Sequence, residues 1–104
     1  MASNRFVLLH HTGAPDGDHY DLMLERDGAL ATWRLASADV TGPAVRIDDH
    51  RLAYLDYEGP VSDGRGEVRR IEAGTYEVDS WSAERVRVRL ASGRTIEIPG
   101  PGSV

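Results

Sequence analysis

All four histidines of this chain precede position 51, at His10, His11, His19 and His50. They are the side chains best suited to chemistry near neutral pH. His19 and Asp21 stand two apart, so on an extended strand both leave the same face. That face has few apolar residues, so neither group needs to be buried in a core. His11 ends the preceding apolar run, and the loop of residues 12–18 can bring it alongside. Two imidazoles and a carboxylate converging on one point make a site for a first-row divalent metal. Spacing alone fits equally a surface His and Asp that alternate by chance. His10 alternates away from His11 and reads as structural.

These residues sit on or beside short strands. Arg5 to His10 is an apolar run of strand type, and Thr12 to Asp18 is rich in Gly, Pro and Asp, as a loop is. His19 to Glu25 alternates, with Tyr20, Leu22 and Leu24 on one side and His19, Asp21, Met23 and Glu25 on the other. Asp27-Gly28 marks a hairpin turn into a strand from Leu30 to Leu35. Residues 38–43 form a loop and Ala44 to Asp48 a short strand. Asp48-Asp49 could cap a turn or brief helix through Asp56, with His50 and Tyr54 one helical turn apart. After a loop over 58–66, strands follow at 67–71, 75–81, 84–91 and 94–98, the last two joined by Ser92-Gly93. Asp63-Gly64-Arg65-Gly66 leads into strand-like sequence, which argues against a nucleotide-cradling loop before a helix. About seven short strands with Gly-rich turns and no long helix predict an all-β, mainly antiparallel barrel or sandwich.

Size and composition bound the rest. A chain of 104 residues and 11.4 kDa forms one domain, expected over 5–98 between a flexible N-terminus at 1–4 and a flexible tail at 99–104. With no cysteine, disulfides, zinc knuckles and thiol catalysis are excluded. No apolar run approaches the ~20 residues of a membrane span, and no secretory signal opens the chain, so a cytoplasmic monomer is expected. A net charge of -5 weighs against broad binding to nucleic acid. All 12 basic residues are arginine, as codon bias in a high-GC genome produces, or as phosphate sites prefer. Trp33, Trp81 and Tyr76 read as core or barrel-end aromatics, and Arg85, Arg87 and Arg89 as a solvated strand face paired with acidic neighbours.

Longer stretches carry a resemblance. Arg5-Phe-Val-Leu-Leu-His-His11, followed by His19-Tyr-Asp-Leu-Met-Leu-Glu25, resembles the signature of the 3'-phosphoesterase domain of bacterial DNA ligase D. Asp48-Asp-His-Arg-Leu-Ala-Tyr-Leu-Asp-Tyr-Glu-Gly59 resembles that family's second block. Trp33 and Gly74-Thr-Tyr76 resemble two further motifs, all in matching order over residues 5 to 78. The resemblance implies a small closed β-barrel with at most one or two short helical turns. It implies manganese-dependent removal of a 3'-phosphate or 3'-ribonucleoside from DNA ends in repair.

Residue by residue, the match implies metal ligands at His11, His19 and Asp21, and catalytic groups at His50 and Tyr54. Glu25 and Asp48 would support them, with Asp48 or Asp49 orienting the His50 ring. DNA 3' ends are the implied target, with a separate ligase or polymerase of end joining as candidate protein partner. Several family groups are replaced. Met23 stands where the family carries an arginine, so Arg34, Arg46 or Arg65 would have to bind phosphate instead. Trp33-Arg34-Leu35-Ala36-Ser37 lacks the family's lysine, the loop after Gly59 lacks its Tyr-Gly-x-Gly pattern, and the loop between His11 and His19 is two residues longer. These departures leave a second reading, a non-catalytic metal-containing module that binds DNA ends. His19, Asp21 and His50 also imitate the two-His-one-carboxylate site of iron oxygenases, although 104 residues leave little room for iron, cosubstrate and substrate.

Overall fold

The computed structural model describes residues 4–40 and 43–102. Residues 1–3, 103–104 and 41–42, which belong to the expected flexible ends and to the expected loop 38–43, lie outside the described residues. The strands are β1 (Arg5–Thr12), β2 (His19–Arg26), β3 (Ala29–Leu35), β4 (Ala44–His50), β5 (Gly59–Pro60), β6 (Glu67–Trp81), β7 (Arg85–Leu90) and β8 (Thr95–Pro99). One 3-10 turn, Leu52–Leu55, follows β4. Every pairing is antiparallel, in the order β4-β3-β2-β1-β6-β7-β8 with β5 also on β6.

The all-β, antiparallel expectation holds, but the closed barrel does not. The sheet curls and stays open, because among the described residues no backbone ladder joins β4 to β8. Side chains reach across instead: Trp33 Nε1 on β3 donates to the Pro99 carbonyl on β8 at 2.7 Å. The curl has a local cause in register shifts at Leu8/Leu9, Leu30/Thr32 and Val78/Ser80, since bulges bend and twist the strand that carries them.

The two strands expected at 67–71 and 75–81 are halves of one bent strand, β6. Its first half pairs with β1 and its second with β7. Glu72-Ala73-Gly74 looks like a gap because these residue types favour strands weakly. Gly74 fits there because a Cβ would stand 3.3 Å from the Phe6 ring. The Asp27-Gly28 hairpin forms as expected, with both residues at positive φ (55° and 83°), the conformation that matches strand twist. β8 runs one residue beyond the expected domain boundary. Past it, the Gly100 and Gly102 amides hydrogen-bond to the Glu84 and Ala83 carbonyls.

Alternation divides the apolar residues between two faces. Phe6, Leu8, Leu22, Leu24, Trp33 and Tyr76 join residues of β7 and β8 in a large cluster inside the curl. Burial of each large side chain there contributes about 1.5–3 kcal/mol. Val7, Leu9, Met23, Leu30, Leu55 and Val68 form a smaller cluster on the opposite face. This second cluster is the floor on which the polar residues of β1, β2 and β3 stand.

Candidate metal centre

The β1–β2 ladder sets His11 directly opposite His19, and the two-residue step along β2 places Asp21 on the same face. One ligand atom from each of His11, His19 and Asp21 lies within 4.8 Å of the others. His19 Nε2 is 3.5 Å and His11 Nδ1 3.9 Å from Asp21 Oδ2, too far for hydrogen bonds. His19 and Asp21 are only 7% and 4% exposed, contrary to the open face expected. The floor cluster is assembled from separated segments, so its apolar character is not visible along β2 alone.

Each imidazole is anchored through the nitrogen that faces away from Asp21. His19 Nδ1 donates to the Gly17 carbonyl at 3.0 Å, and His11 Nε2 to the Arg65 carbonyl at 2.7 Å. A carbonyl only accepts, so the neutral rings keep their protons at these positions. The lone pairs then fall on His19 Nε2 and His11 Nδ1. Backbone carbonyls commonly orient metal-binding histidines in this way. His19 Nε2 and Asp21 Oδ1 are buried with no hydrogen-bond partner, a costly arrangement unless another group completes it. Two imidazoles and a carboxylate form a donor set that suits a first-row divalent metal.

The carbonyl anchors come from loops that spacing did not single out. Gly66 has φ +86°, and a Cβ there would meet the Thr12 carbonyl oxygen at 2.0 Å. This close approach presses the 61–66 loop onto the end of β1 and delivers the Arg65 carbonyl to His11. The Gly-rich 63–66 segment thus shapes the side of the cluster that holds His11. On the other side, Asp18 Oδ1 accepts from the Gly13 amide at 2.9 Å and closes the loop that supplies Gly17.

Beside the cluster opens a pocket of about 390 Å³ lined by His11, Asp21, Arg34, His50, Tyr54 and Arg65, among others. Arg34 is the register partner of Asp21 and shares its face. Its Nη1 lies 2.5 Å from Asp16 Oδ2, and this hydrogen bond is the main reason the Asp16 carboxyl sits below the usual carboxylate range. Arg65 donates to the Ser62 carbonyl and hydroxyl at 2.8 and 3.0 Å. His50 ends β4 rather than starting a helix. Its ring meets the Tyr54 ring edge-on at 5.5 Å.

The remaining candidates lie elsewhere. His50 Nδ1 donates to the Asp48 backbone carbonyl at 3.1 Å, so this contact to the ring comes from the main chain. Asp49 is engaged by Arg46 at 2.6 Å. Arg46 pairs in register with Trp33 and lies over its ring at 5.1 Å, on the face away from the pocket. Glu25 is four residues along β2 from Asp21, about 13 Å away. It accepts from the Arg5 amide at 3.4 Å. His10 stacks on Tyr20, with ring centroids 4.4 Å apart. Arg85, Arg87 and Arg89 pair with Glu97, Asp79 and Glu77. Asp16 on the pocket wall, Gly17 against His19 and Gly66 against Thr12 shape this region, and the spacing of ionisable residues gave no signal for them.

Residues 9–97 match the DNA Ligase D 3'-phosphoesterase domain family, a span that includes the three clustered residues, His50 and Tyr54. The chain is 34% identical over 104 residues to the multifunctional non-homologous end joining protein LigD of Mycobacterium bovis and to its Mycobacterium tuberculosis counterpart. In both cases the match covers 88% of this chain and 13% of the relative. A LigD of Pseudomonas aeruginosa is 39% identical over 51 residues, 44% of this chain and 6% of that protein. The chain thus spans a small part of the relatives it matches. No helix among the described residues is long and apolar enough to cross a membrane. With the match running nearly end to end and the clustered residues inside it, this chain belongs to the DNA ligase D 3'-phosphoesterase domain family.

Proposed function

We propose that this chain is a divalent-metal-dependent 3'-phosphoesterase that removes a 3'-phosphate or 3'-ribonucleoside from DNA ends during repair, with manganese as its ion. The observation that carries the reading is the pair of buried, unpartnered atoms His19 Nε2 and Asp21 Oδ1 beside the free Nδ1 side of His11. These three residues would hold the ion, which supplies charge neutralisation at the phosphate and lowers the pKa of water. Arg34 and Arg65 would receive the phosphate from the pocket wall. His50, fixed through Nδ1, presents Nε2 to donate a hydrogen bond or move a proton at the leaving oxygen. The Tyr54 hydroxyl would hold a phosphate oxygen.

The target is a DNA 3' end rather than a long duplex tract, because the chain is acidic and its basic residues are largely paired with carboxylates. A separate ligase or polymerase of end joining is the matching protein partner. One observation favours the non-catalytic alternative: Met23, which replaces the family's arginine, is 1% exposed in the floor cluster and offers no phosphate contact. Incubation with manganese and primers bearing 3'-phosphate, 5'-phosphate or unmodified ends tests the choice. Phosphate released only from the 3'-phosphate primer supports the enzyme. Tight binding of that primer without release supports the module.

A further inference from the structure

We infer that a second cavity, walled by Tyr54, Tyr57 and Arg51, takes the terminal nucleobase of the DNA 3' end, and so favours ends whose last base is unpaired. The inference rests on reading the larger pocket as the place where the end phosphate binds. The second cavity holds about 250 Å³, less than the ~300–1,000 Å³ of sites that enclose a drug-sized molecule, and suits one planar ring system. Tyr54 and Val61 line both spaces. Both also pack against the floor cluster, so the wall they share is fixed.

Aromatic rings lead from one space to the other. His50 meets Tyr54 edge-on at 5.5 Å, and Tyr54 meets Tyr57 edge-on at 5.8 Å. Tyr57 thus stands at most about 11 Å from His50, a separation that one nucleotide bridges from its 3'-phosphate to its base. Its ring is held in advance: the hydroxyl donates to the Pro60 carbonyl, and Gly59 at φ +131° turns the chain back between them. Fixing the ring beforehand removes an ordering cost from binding. Tyr57 remains 37% exposed, which leaves ring surface for a second aromatic. Every base has a π-face, and stacking on aromatic side chains holds single strands without regard to sequence.

Charge favours the same occupant. The acidic neighbours of Tyr57 are turned to other partners, Asp56 to Arg5 at 2.9 Å and Glu58 to the Arg70 amide at 2.8 Å. The Arg51 side chain is exposed and has no hydrogen bond or ion pair among the described residues. In a chain of net charge -5, two tyrosines and a free arginine with no acidic lining residue suit an anionic strand. Stacking on Tyr57 requires a base released from its complement, which costs least at a single-stranded or mismatched end.

The test uses the manganese-loaded full chain and labelled single-stranded primers ending in a non-hydrolysable 3'-methylenephosphonate, with or without a base on the last sugar. Fluorescence anisotropy should show the wild type binding the base-bearing primer about five- to tenfold more tightly, the lower end of base–aromatic stacking. A complementary strand that pairs the last base should remove this gain, and a mismatch at that base should restore it. Tyr57→Leu should bring both primers to the same affinity, whereas Tyr57→Phe should keep most of the preference. Arg51→Gln should weaken both primers about two- to threefold, the scale of one exposed charge contact. Manganese affinity should not change in any variant. Equal affinities in the wild type, or a preference that survives in Tyr57→Leu, overturn the inference. Binding of a proline-rich peptide through Tyr57, with both primers bound equally, assigns the cavity to a protein partner and overturns it too. Phosphate release from the matching 3'-phosphate primers separates this inference from the proposed function. Release without base preference overturns the base site alone, and base preference without release overturns the hydrolase alone.

Discussion

His11 and His19 face each other across the β1–β2 ladder with ring centroids 4.7 Å apart, yet they turn opposite ring nitrogens toward Asp21. His11 offers Nδ1 because Arg65 holds its Nε2, and His19 offers Nε2 because Gly17 holds its Nδ1. Two identical side chains at one register position thus present different nitrogens to Asp21. The difference is set by two loops and not by the strands.

That arrangement predicts a single metal site. Calorimetric titration with manganese should show one binding event, which His19→Ala or Asp21→Asn abolishes. At a metal concentration of 100 Kd the wild type should gain about 2.7 kcal/mol of stability, and the variants nothing. Unchanged binding in His19→Ala would remove the site.

Gly66→Ala should damage both the fold and the centre. Its Cβ has no room beside Thr12, and its backbone lies at a φ that side chains rarely adopt. A loss of about 1–3 kcal/mol is expected from the strain alone. Metal affinity should fall as well, because the Arg65 carbonyl moves away from His11. A stable variant with intact affinity would contradict the role given to this loop.

His50→Ala should reduce phosphate release by ~10²-fold or more with manganese affinity nearly intact. His50 lies on β4, outside the three-residue cluster. If the mutation removed the metal itself, an iron-type triad that includes His50 would be the better description. Full activity in the variant would end its catalytic assignment.

Alkaline stability should follow Tyr76. Burial is the chief cause that pushes its hydroxyl above the ordinary tyrosine value of 10.0. Above that pH the unfolded chain releases the proton while the native state retains it, so stability declines as pH rises through the native pKa. Tyr76→Phe loses the 2.6 Å bond to the Glu25 carbonyl and about 0.5–1.5 kcal/mol at neutral pH. Its stability should then decline less steeply beyond about pH 10 than that of the wild type. Parallel profiles in chemical denaturation would contradict the assignment.

Binding to DNA ends should show a shallow dependence on salt, reflecting about two or three neutralised phosphates. A steep slope on blunt, unmodified duplex would show a broader basic surface than the paired arginines allow.

Local signals carried much of this architecture. Period-two alternation marked β1 to β4, Asp27-Gly28 marked its hairpin, and the His19-x-Asp21 step put two of the clustered residues on one face. What alternation could not reveal depends on contacts between distant segments. The continuity of β6 through Gly74 depends on Phe6, and the floor cluster that buries Met23 draws on Leu55 and Val68 from elsewhere in the chain. The openness of the sheet depends on where bulges fall. Arg46 was a phosphate candidate as a substitute for the family arginine that Met23 replaces, but its register with Trp33 turns it to the other face. Asp16 looked like an ordinary loop residue until Arg34 was placed beside it.

If the His11–His19–Asp21 cluster holds the ion that drives hydrolysis, metal occupancy and phosphate release rise together. Manganese should be titrated into the wild type with a 3'-phosphate primer present, and phosphate release compared with calorimetric occupancy over the same range. The two curves should share one midpoint, and both should vanish in His19→Ala. Phosphate release that persists undiminished in His19→Ala, or in the presence of excess chelator, would contradict the account.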